Sequence, residues 1–104
     1  MRQALAVSTT TATREDAEAL AAHLVGSRLA ACVQITPIAS VYAWKGKVEH
    51  AQEHLLTIKT RASLFERLAT AIREMHAYET PEILAVPAQG SPDYLDWIWR
   101  ETDD

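Results

Sequence analysis

The segment SVYAWKGKVE, residues 40–49, decides the fold, because a Lys-Gly-Lys turn separates two runs that alternate with the period of β-strands. The first run starts near Ala30 and the second continues to Thr60. At about 3.3 Å per residue, each arm would reach roughly 40 Å, which is more than a small domain can cover. Part of the hairpin is therefore expected to project or to pair with another chain. A bend or bulge is expected at Pro37, which lacks a backbone N–H donor.

Upstream of the hairpin, the sequence predicts a short strand and an amphipathic helix. The strand covers residues 3–9 and ends in a run of threonines. The helix covers residues 13–26, with apolar residues at helical spacing. Thr13 and Asp16 have the spacing of a capping box, and Gly26 is the expected C-cap.

Downstream of the hairpin, a second helix, a strand and a last short helix are predicted. The second helix covers residues 63–76, with a capping box expected at Ser63. Residues 83–87 form an apolar strand, and the sequence Gly-Ser-Pro at 90–92 begins the last helix.

The predicted order β-α-β-β-α-β, followed by a helix, defines a single α+β domain over residues 1–104. This is the ferredoxin-like split β-α-β arrangement, in which a four-stranded antiparallel sheet carries its helices on one face. The chain leaves the opposite face uncovered, and an apolar face of that size marks an association surface. A homo-oligomer is therefore expected. The candidates for the uncovered face, depending on register, are Val33, Ile35, Val41, Leu56 and Ile58.

Composition excludes several classes of function. Ten Lys and Arg against fourteen Asp and Glu give a net charge of −4, without any basic run, so nucleic acid is not an expected partner. The single cysteine, Cys32, excludes an internal disulfide and is expected in the core. No apolar run is long enough for membrane insertion, and the apolar stretch at residues 4–7 is too short for a signal peptide. A cytoplasmic protein is expected.

Residues 50–54, His-Ala-Gln-Glu-His, match a zinc-protease motif, but the context argues against a zinc site. Two histidines four residues apart converge on one metal only in a helix, whereas on a strand they lie roughly 13 Å apart. The flanking residues favour a strand. These side chains are therefore expected to be solvated polar positions.

The densest group of chemically useful side chains lies in residues 75–82, Met-His-Ala-Tyr-Glu-Thr-Pro-Glu. An imidazole, a phenol and two carboxylates follow the second helix there, and they could ligate a metal or move protons. A capped helix end with a partly buried tyrosine explains the same residues without any activity. Trp44 at the hairpin tip is expected to anchor a neighbouring subunit. The chain has no nucleophile-elbow motif, and its three glycines do not form a phosphate-binding loop, so no enzyme is predicted.

Four ordered segments stand out along the chain: RLAACV at residues 28–33, SVYAWKGKVE at 40–49, LLTIKT at 55–60 and HAYETPEI at 76–83. Together they strongly resemble the CutA divalent-cation tolerance proteins. The resemblance extends over about residues 5–99. It implies a homotrimer with the architecture of the PII signalling proteins, in which long hairpins wrap neighbouring subunits. It also implies tolerance of copper and other divalent cations, without an established reaction.

The resemblance implies particular site residues as well. Copper ligands in a bacterial relative correspond to Ser8, Met75 and His76 here; only the histidine is kept, although the Met75 thioether suits Cu(I). Weak binding of copper or another divalent cation is therefore expected. The residues that correspond to a cleft between subunits are Trp44, Lys59, His76, Tyr78, Glu79 and Glu82.

Two alternatives remain open from the sequence. The first is a small-ligand signalling or protein-docking module that binds no metal physiologically. The second is a small hydrolytic enzyme in which His76 acts as acid or base with Glu82 or Lys59 as its partner.

Overall fold

A computed structural model describes residues 2–104 and has the predicted order of elements. The strands are β1 (Ala4–Thr11), β2 (Cys32–Trp44), β3 (Lys47–Arg61) and β4 (Leu84–Ala88). The helices are α1 (Arg14–Gly26), α2 (Phe65–Met75) and α3 (Pro92–Glu101). The sheet order is β2-β3-β1-β4, and every neighbouring pair is antiparallel. The ferredoxin-like α+β prediction is confirmed.

The long hairpin is regular and extends past the body. β2 and β3 pair without interruption from Cys32 opposite Lys59 to Trp44 opposite Lys47, so the bulge predicted at Pro37 is wrong. β2 is the outermost strand, where a missing N–H donor is tolerated. β1 pairs with β3 only as far as His54, so residues 38–53 form a two-stranded extension. The longest dimension of the chain is accordingly 44 Å.

Two of the four predicted helix signals are confirmed. The Thr13 hydroxyl accepts a hydrogen bond from the Asp16 N–H at 3.1 Å, and Ser91 caps α3 in the same way. The capping box predicted at Ser63 is wrong, because this residue lies in a short 3₁₀ turn and its hydroxyl donates to Asp104 instead. The C-cap predicted at Gly26 is also wrong. Arg28 adopts the left-handed conformation there, with a φ of 62°, and its guanidinium is held by the C-terminal segment.

The core lies between the sheet and the helices α1 and α2. Leu56 and Ile58 of β3 are fully buried in it, and Val33 and Ile35 of β2 pack against it. These four residues were candidates for the uncovered face, so that prediction is wrong for them. The register explains this result, because it places the even-numbered residues of β3 and the odd-numbered residues of β2 on the helix side.

The prediction that all helices lie on one face is wrong for α3, which packs against Ala4 and Ala88 on the face opposite to α1 and α2. The part of this face that α3 leaves uncovered is nevertheless partly apolar. β4 presents Leu84 and Val86 there, with 62% and 54% of their surfaces exposed. The extension of the hairpin also exposes large apolar side chains, namely Val41, Tyr42 and Val48. Exposed apolar side chains concentrated on one face and one extension are typical of an association surface.

In the described part of the chain, no helix is long and apolar enough to cross a membrane.

Candidate functional site

The loop of residues 76–83 joins α2 to β4 and carries most of the predicted site residues. Met75 is the last residue of α2, and His76 leaves the helix with the extended angles φ −83° and ψ 140°. Pro81 favours an extended conformation at Thr80, which directs the chain back to the sheet. The loop therefore lies over the end of β1 and the base of the projecting hairpin.

Both ring nitrogens of His76 are occupied within the chain. Nδ1 lies 3.0 Å from the backbone nitrogen of Tyr78, whose N–H donates to it. Nε2 lies 2.6 Å from the carbonyl oxygen of Thr10, which only accepts, so Nε2 carries the proton. These partners assign the neutral Nε2–H tautomer. Through Nε2 the imidazole holds the loop to β1, and through Nδ1 it accepts a hydrogen bond from the backbone of the loop itself.

Tyr78 extends this connection to the hairpin. Its hydroxyl donates to Oε2 of Glu53 at 2.7 Å, and its ring packs against His76 with 4.8 Å between centroids. Only 7% of Glu53 is exposed. The prediction that Glu53 is a solvated position is therefore wrong. His54 is half-buried as well, so of the motif's three charged or titratable residues only His50 is exposed as predicted. Alternation alone does not reveal the burial of Glu53, because the contact with Tyr78 is tertiary.

The surroundings of Tyr78 keep its hydroxyl protonated. Burial raises the pKa of Tyr78 well above its ordinary value of about 10, and the hydrogen bond to Glu53 and its negative charge raise it further.

Stability is therefore expected to fall at alkaline pH. Since the folded-state pKa of Tyr78 is raised, its contribution is complete below about pH 10 and is lost as the unfolded chain ionises above that pH. Urea unfolding at a series of pH values should show this loss in the wild type, whereas in Tyr78→Phe the same decrease should be absent. An identical alkaline decrease in both proteins would contradict the assignment.

The hairpin tip also reaches the loop. Lys45 Nζ lies 3.6 Å from Oε2 of Glu79 and 5.5 Å from the centre of the Trp44 ring. Both charged side chains are largely exposed, so this pair contributes little to stability. It nevertheless places two predicted cleft residues, Trp44 and Glu79, at the same end of the molecule as Tyr78.

Lys59 lies elsewhere. Its ammonium group donates to Oε1 of Gln34 at 2.7 Å, beside the half-buried Cys32 on the neighbouring strand. Lys59 lies six positions along β3 from Glu53, which amounts to roughly 20 Å along an extended strand. Within one chain, Lys59 therefore lies too far along β3 to act with His76, which leaves Glu82 as the other partner that the enzyme alternative offered. Glu82 is exposed in the loop.

The predicted cation ligands do not form a preformed metal site in a single chain. Met75 is exposed at the surface, and the one lone pair of the neutral His76 ring is used by Tyr78. Ser8 is half-buried on β1, opposite Thr57 and Leu84. No cluster of three or more His, Cys, Asp or Glu side chains suited to a metal ion occurs among residues 2–104. A cation that used His76 would have to displace an existing hydrogen bond.

The fold and the site together define a class of protein. Its subunit is ferredoxin-like, and the loop after α2 holds the projecting hairpin to the body of the subunit. The family model described as CutA1 divalent ion tolerance protein matches residues 5–101. The chain therefore belongs to the CutA divalent-cation tolerance family, as its sequence segments had indicated.

Individual relatives agree in sequence and structure. The divalent-cation tolerance protein CutA of Thermus thermophilus is 43% identical over 95 residues, which cover 89% of this chain and 92% of the relative. A solved structure from this organism superposes with a TM-score of 0.93, at 41% identity, covering 96% of this chain and 99% of the other. The structure of the periplasmic divalent cation tolerance protein CutA of Archaeoglobus fulgidus gives a TM-score of 0.92, at 38% identity, over 99% and 100% of the two chains.

The chloroplastic protein CutA of Arabidopsis thaliana is 45% identical over 100 residues, which cover 94% of this chain but 55% of the relative. The chain thus spans about half the length of this plant relative, and it likewise covers 50% of protein CutA of the mouse. The family description and the names of the Thermus and Archaeoglobus proteins state tolerance of divalent cations and no catalysed reaction.

Proposed function

We propose that this chain forms a homotrimer that binds a divalent cation or a small ligand weakly, in clefts between subunits, as part of cation tolerance. The observation that carries the proposal is the distribution of exposed apolar side chains. Leu84 and Val86 on the sheet, with Val41 and Val48 on the extension, are costly to leave in water and would be covered by further copies. A hairpin that projects beyond its own body is suited to contact a neighbour.

The placement of the cleft residues supports a site shared between chains. Trp44, Tyr78 and Glu79 lie together at one end, while Lys59 lies far along β3 on the same sheet. A pocket that contains both groups requires two subunits. Lysine, glutamate and aromatic side chains at such an interface are suited to small anionic or polar ligands. A ligand-responsive module comparable to the PII proteins is consistent with this arrangement.

Copper is the cation that the resemblance to CutA implies, with Met75 and His76 as its candidate ligands. The proposal specifies weak binding, since the His76 lone pair must first lose its hydrogen bond from Tyr78. A thioether and an imidazole suit copper better than magnesium or calcium, which prefer oxygen ligands.

Calorimetric titration with copper and zinc tests these ligands. We expect His76→Ala to reduce copper affinity about tenfold or more, and Met75→Leu to reduce it less, since imidazole is the stronger ligand. His23→Ala is the matched control, because His23 is exposed on α1 and should leave the affinity unchanged. Because His76→Ala also removes two hydrogen bonds, circular dichroism should verify its fold. Unchanged copper affinity in a folded His76→Ala protein would refute the assignment.

The proposal includes a non-enzymatic role in the cytoplasm. The free thiol of Cys32 suits a reducing compartment, although relatives include a periplasmic and a chloroplastic protein. Fractionation of cells with an antibody to this chain tests the location. Turnover of a panel of esters or phosphoesters that disappears in His76→Ala would instead favour an enzyme.

A further inference from the structure

A small cavity of about 110 Å³ opens between the first turn of α1, the end of β1 and the loop after α2. It lies entirely within one chain, and two of the residues that line it, His76 and Tyr78, are also among those proposed for the clefts between subunits. Its apolar surface comes from the side chains of Ala12, Ala19 and Leu20. Met75 and the rings of His76 and Tyr78 line it from the loop side.

The polar groups around this cavity offer acceptors but no free side-chain donor. The Thr11 hydroxyl donates to the Thr13 carbonyl at 2.8 Å, and the Tyr78 hydroxyl donates to Glu53. The proton on His76 Nε2 is directed to Thr10. Asp16 also lines the cavity, and its carboxylate makes no hydrogen bond or ion pair within residues 2–104. A ligand would therefore have to supply hydrogen-bond donors.

The charged groups around the cavity also favour a ligand that donates hydrogen bonds and carries positive charge. Burial and Glu53 raise the pKa of the Tyr78 hydroxyl most, and the Asp16 carboxylate at the cavity makes a smaller contribution in the same direction. Among the described residues, no lysine or arginine lines the cavity. α2 ends at Met75, so its terminal carbonyl groups add partial negative charge nearby. The surroundings therefore favour a cation.

The donor set distinguishes an organic cation from a metal ion. A metal needs several ligands with free lone pairs, and this cavity offers one carboxylate and one thioether. Aromatic rings and small apolar side chains instead suit an alkylammonium ion, whose charge is stabilised beside aromatic groups. The cavity is several times smaller than the roughly 300–1,000 Å³ of a pocket for a drug-sized ligand, so it suits only a small molecule.

We propose that this cavity binds a small primary ammonium ion, with its charged group at Asp16 and its alkyl chain against Ala19 and Leu20. The first turn of α1 already attracts the Asp16 carboxylate, and solvent reaches it, so binding is weak and depends on salt. The cavity distinguishes this ligand from similar molecules by charge and by size. A neutral alcohol of the same length lacks the charge, and a bulkier amine does not fit.

Titration of the ¹⁵N-labelled full chain with n-propylammonium, followed by amide chemical shifts at pH 7 and low salt, tests the proposal. We expect saturable shifts confined to residues around the cavity, and none of comparable size with 1-propanol. Asp16→Asn should weaken binding by up to about fivefold, as for an exposed ion pair. Glu15→Gln, in the same turn but outside the cavity, is the control and should bind like the wild type. Ala19→Leu, which fills the cavity on a helix, should abolish binding.

Equal shifts with 1-propanol, equal affinity in Asp16→Asn, or binding that survives Ala19→Leu would each overturn the proposal. Zinc or copper shifting the same amides when propylammonium does not would also overturn it. The outcome is separable from the proposed function, because the cavity belongs to one chain. Ammonium binding by a monomeric protein would support this inference while refuting the trimer.

Discussion

Replacing Leu84 by aspartate is expected to convert the assembly into monomers. Leu84 is the first residue of β4 and lies with Val86 on the sheet face opposite to α1 and α2, in the part that α3 leaves exposed. If copies cover this face, the substitution buries an unpaired charge in each subunit, at a cost of about 3 kcal/mol or more per site. In the isolated chain the same residue is largely exposed, so the fold itself should persist. Sedimentation velocity and circular dichroism measure the two effects.

Val25→Asp is the matched control for this experiment. Val25 is also a large apolar residue, with 41% of its surface exposed, but it lies in the last turn of α1 on the helical side. Aspartate there should leave the assembly intact. If both variants dissociate, or if neither does, the exposed sheet face that carries Leu84 is not the association surface.

Replacing Arg61 by alanine is expected to have the largest effect on the stability of the chain. The Arg61 side chain is only 13% exposed and lies at the end of β3. It donates to the carbonyl oxygens of Trp99 and Thr102 and to the Thr102 hydroxyl, and its guanidinium lies 5.3 Å from the centre of the Trp99 ring. Removal leaves these acceptors without a donor and should cost about 3 kcal/mol. Urea unfolding at one fixed protein concentration measures the change.

Arg2→Ala provides the comparison. Arg2 lies 5.5 Å from the same Trp99 ring and pairs with Asp96, but its side chain is much more exposed. Its removal should cost less than about 1 kcal/mol. Similar losses for the two arginines would show that the contact with the ring, and not the buried hydrogen bonds, anchors α3.

The sequence was sufficient to predict the order of helices and strands, but not which side chains lie on each face of the sheet. Alternation and turn chemistry located the hairpin, and the resemblance to CutA agreed with the order of elements. Neither fixed the strand register, and a shift by one residue exchanges the two faces of a strand. Leu56 and Ile58 were therefore placed among candidates for the uncovered face, although the register places them in the core. The error at Ser63 has another cause, because its hydroxyl is used by the distant Asp104.

The candidate site was predicted as a set of residues but not as a set of contacts. The segment with His76 and Tyr78 stood out by composition, and both residues contribute to the loop's anchorage. The contribution of Glu53 was missed, since 25 residues separate it from Tyr78 in sequence and only tertiary structure joins them. The use of both His76 nitrogens was equally hidden, because Thr10 contributes a backbone carbonyl, which no residue type signals.

Sedimentation equilibrium at micromolar concentration tests the central claim most directly, namely that copies of this chain cover its exposed sheet face and hairpin. The account predicts a particle with three times the chain mass of 11.5 kDa. A homogeneous particle with the mass of one chain would contradict it, and the clefts between subunits would not exist.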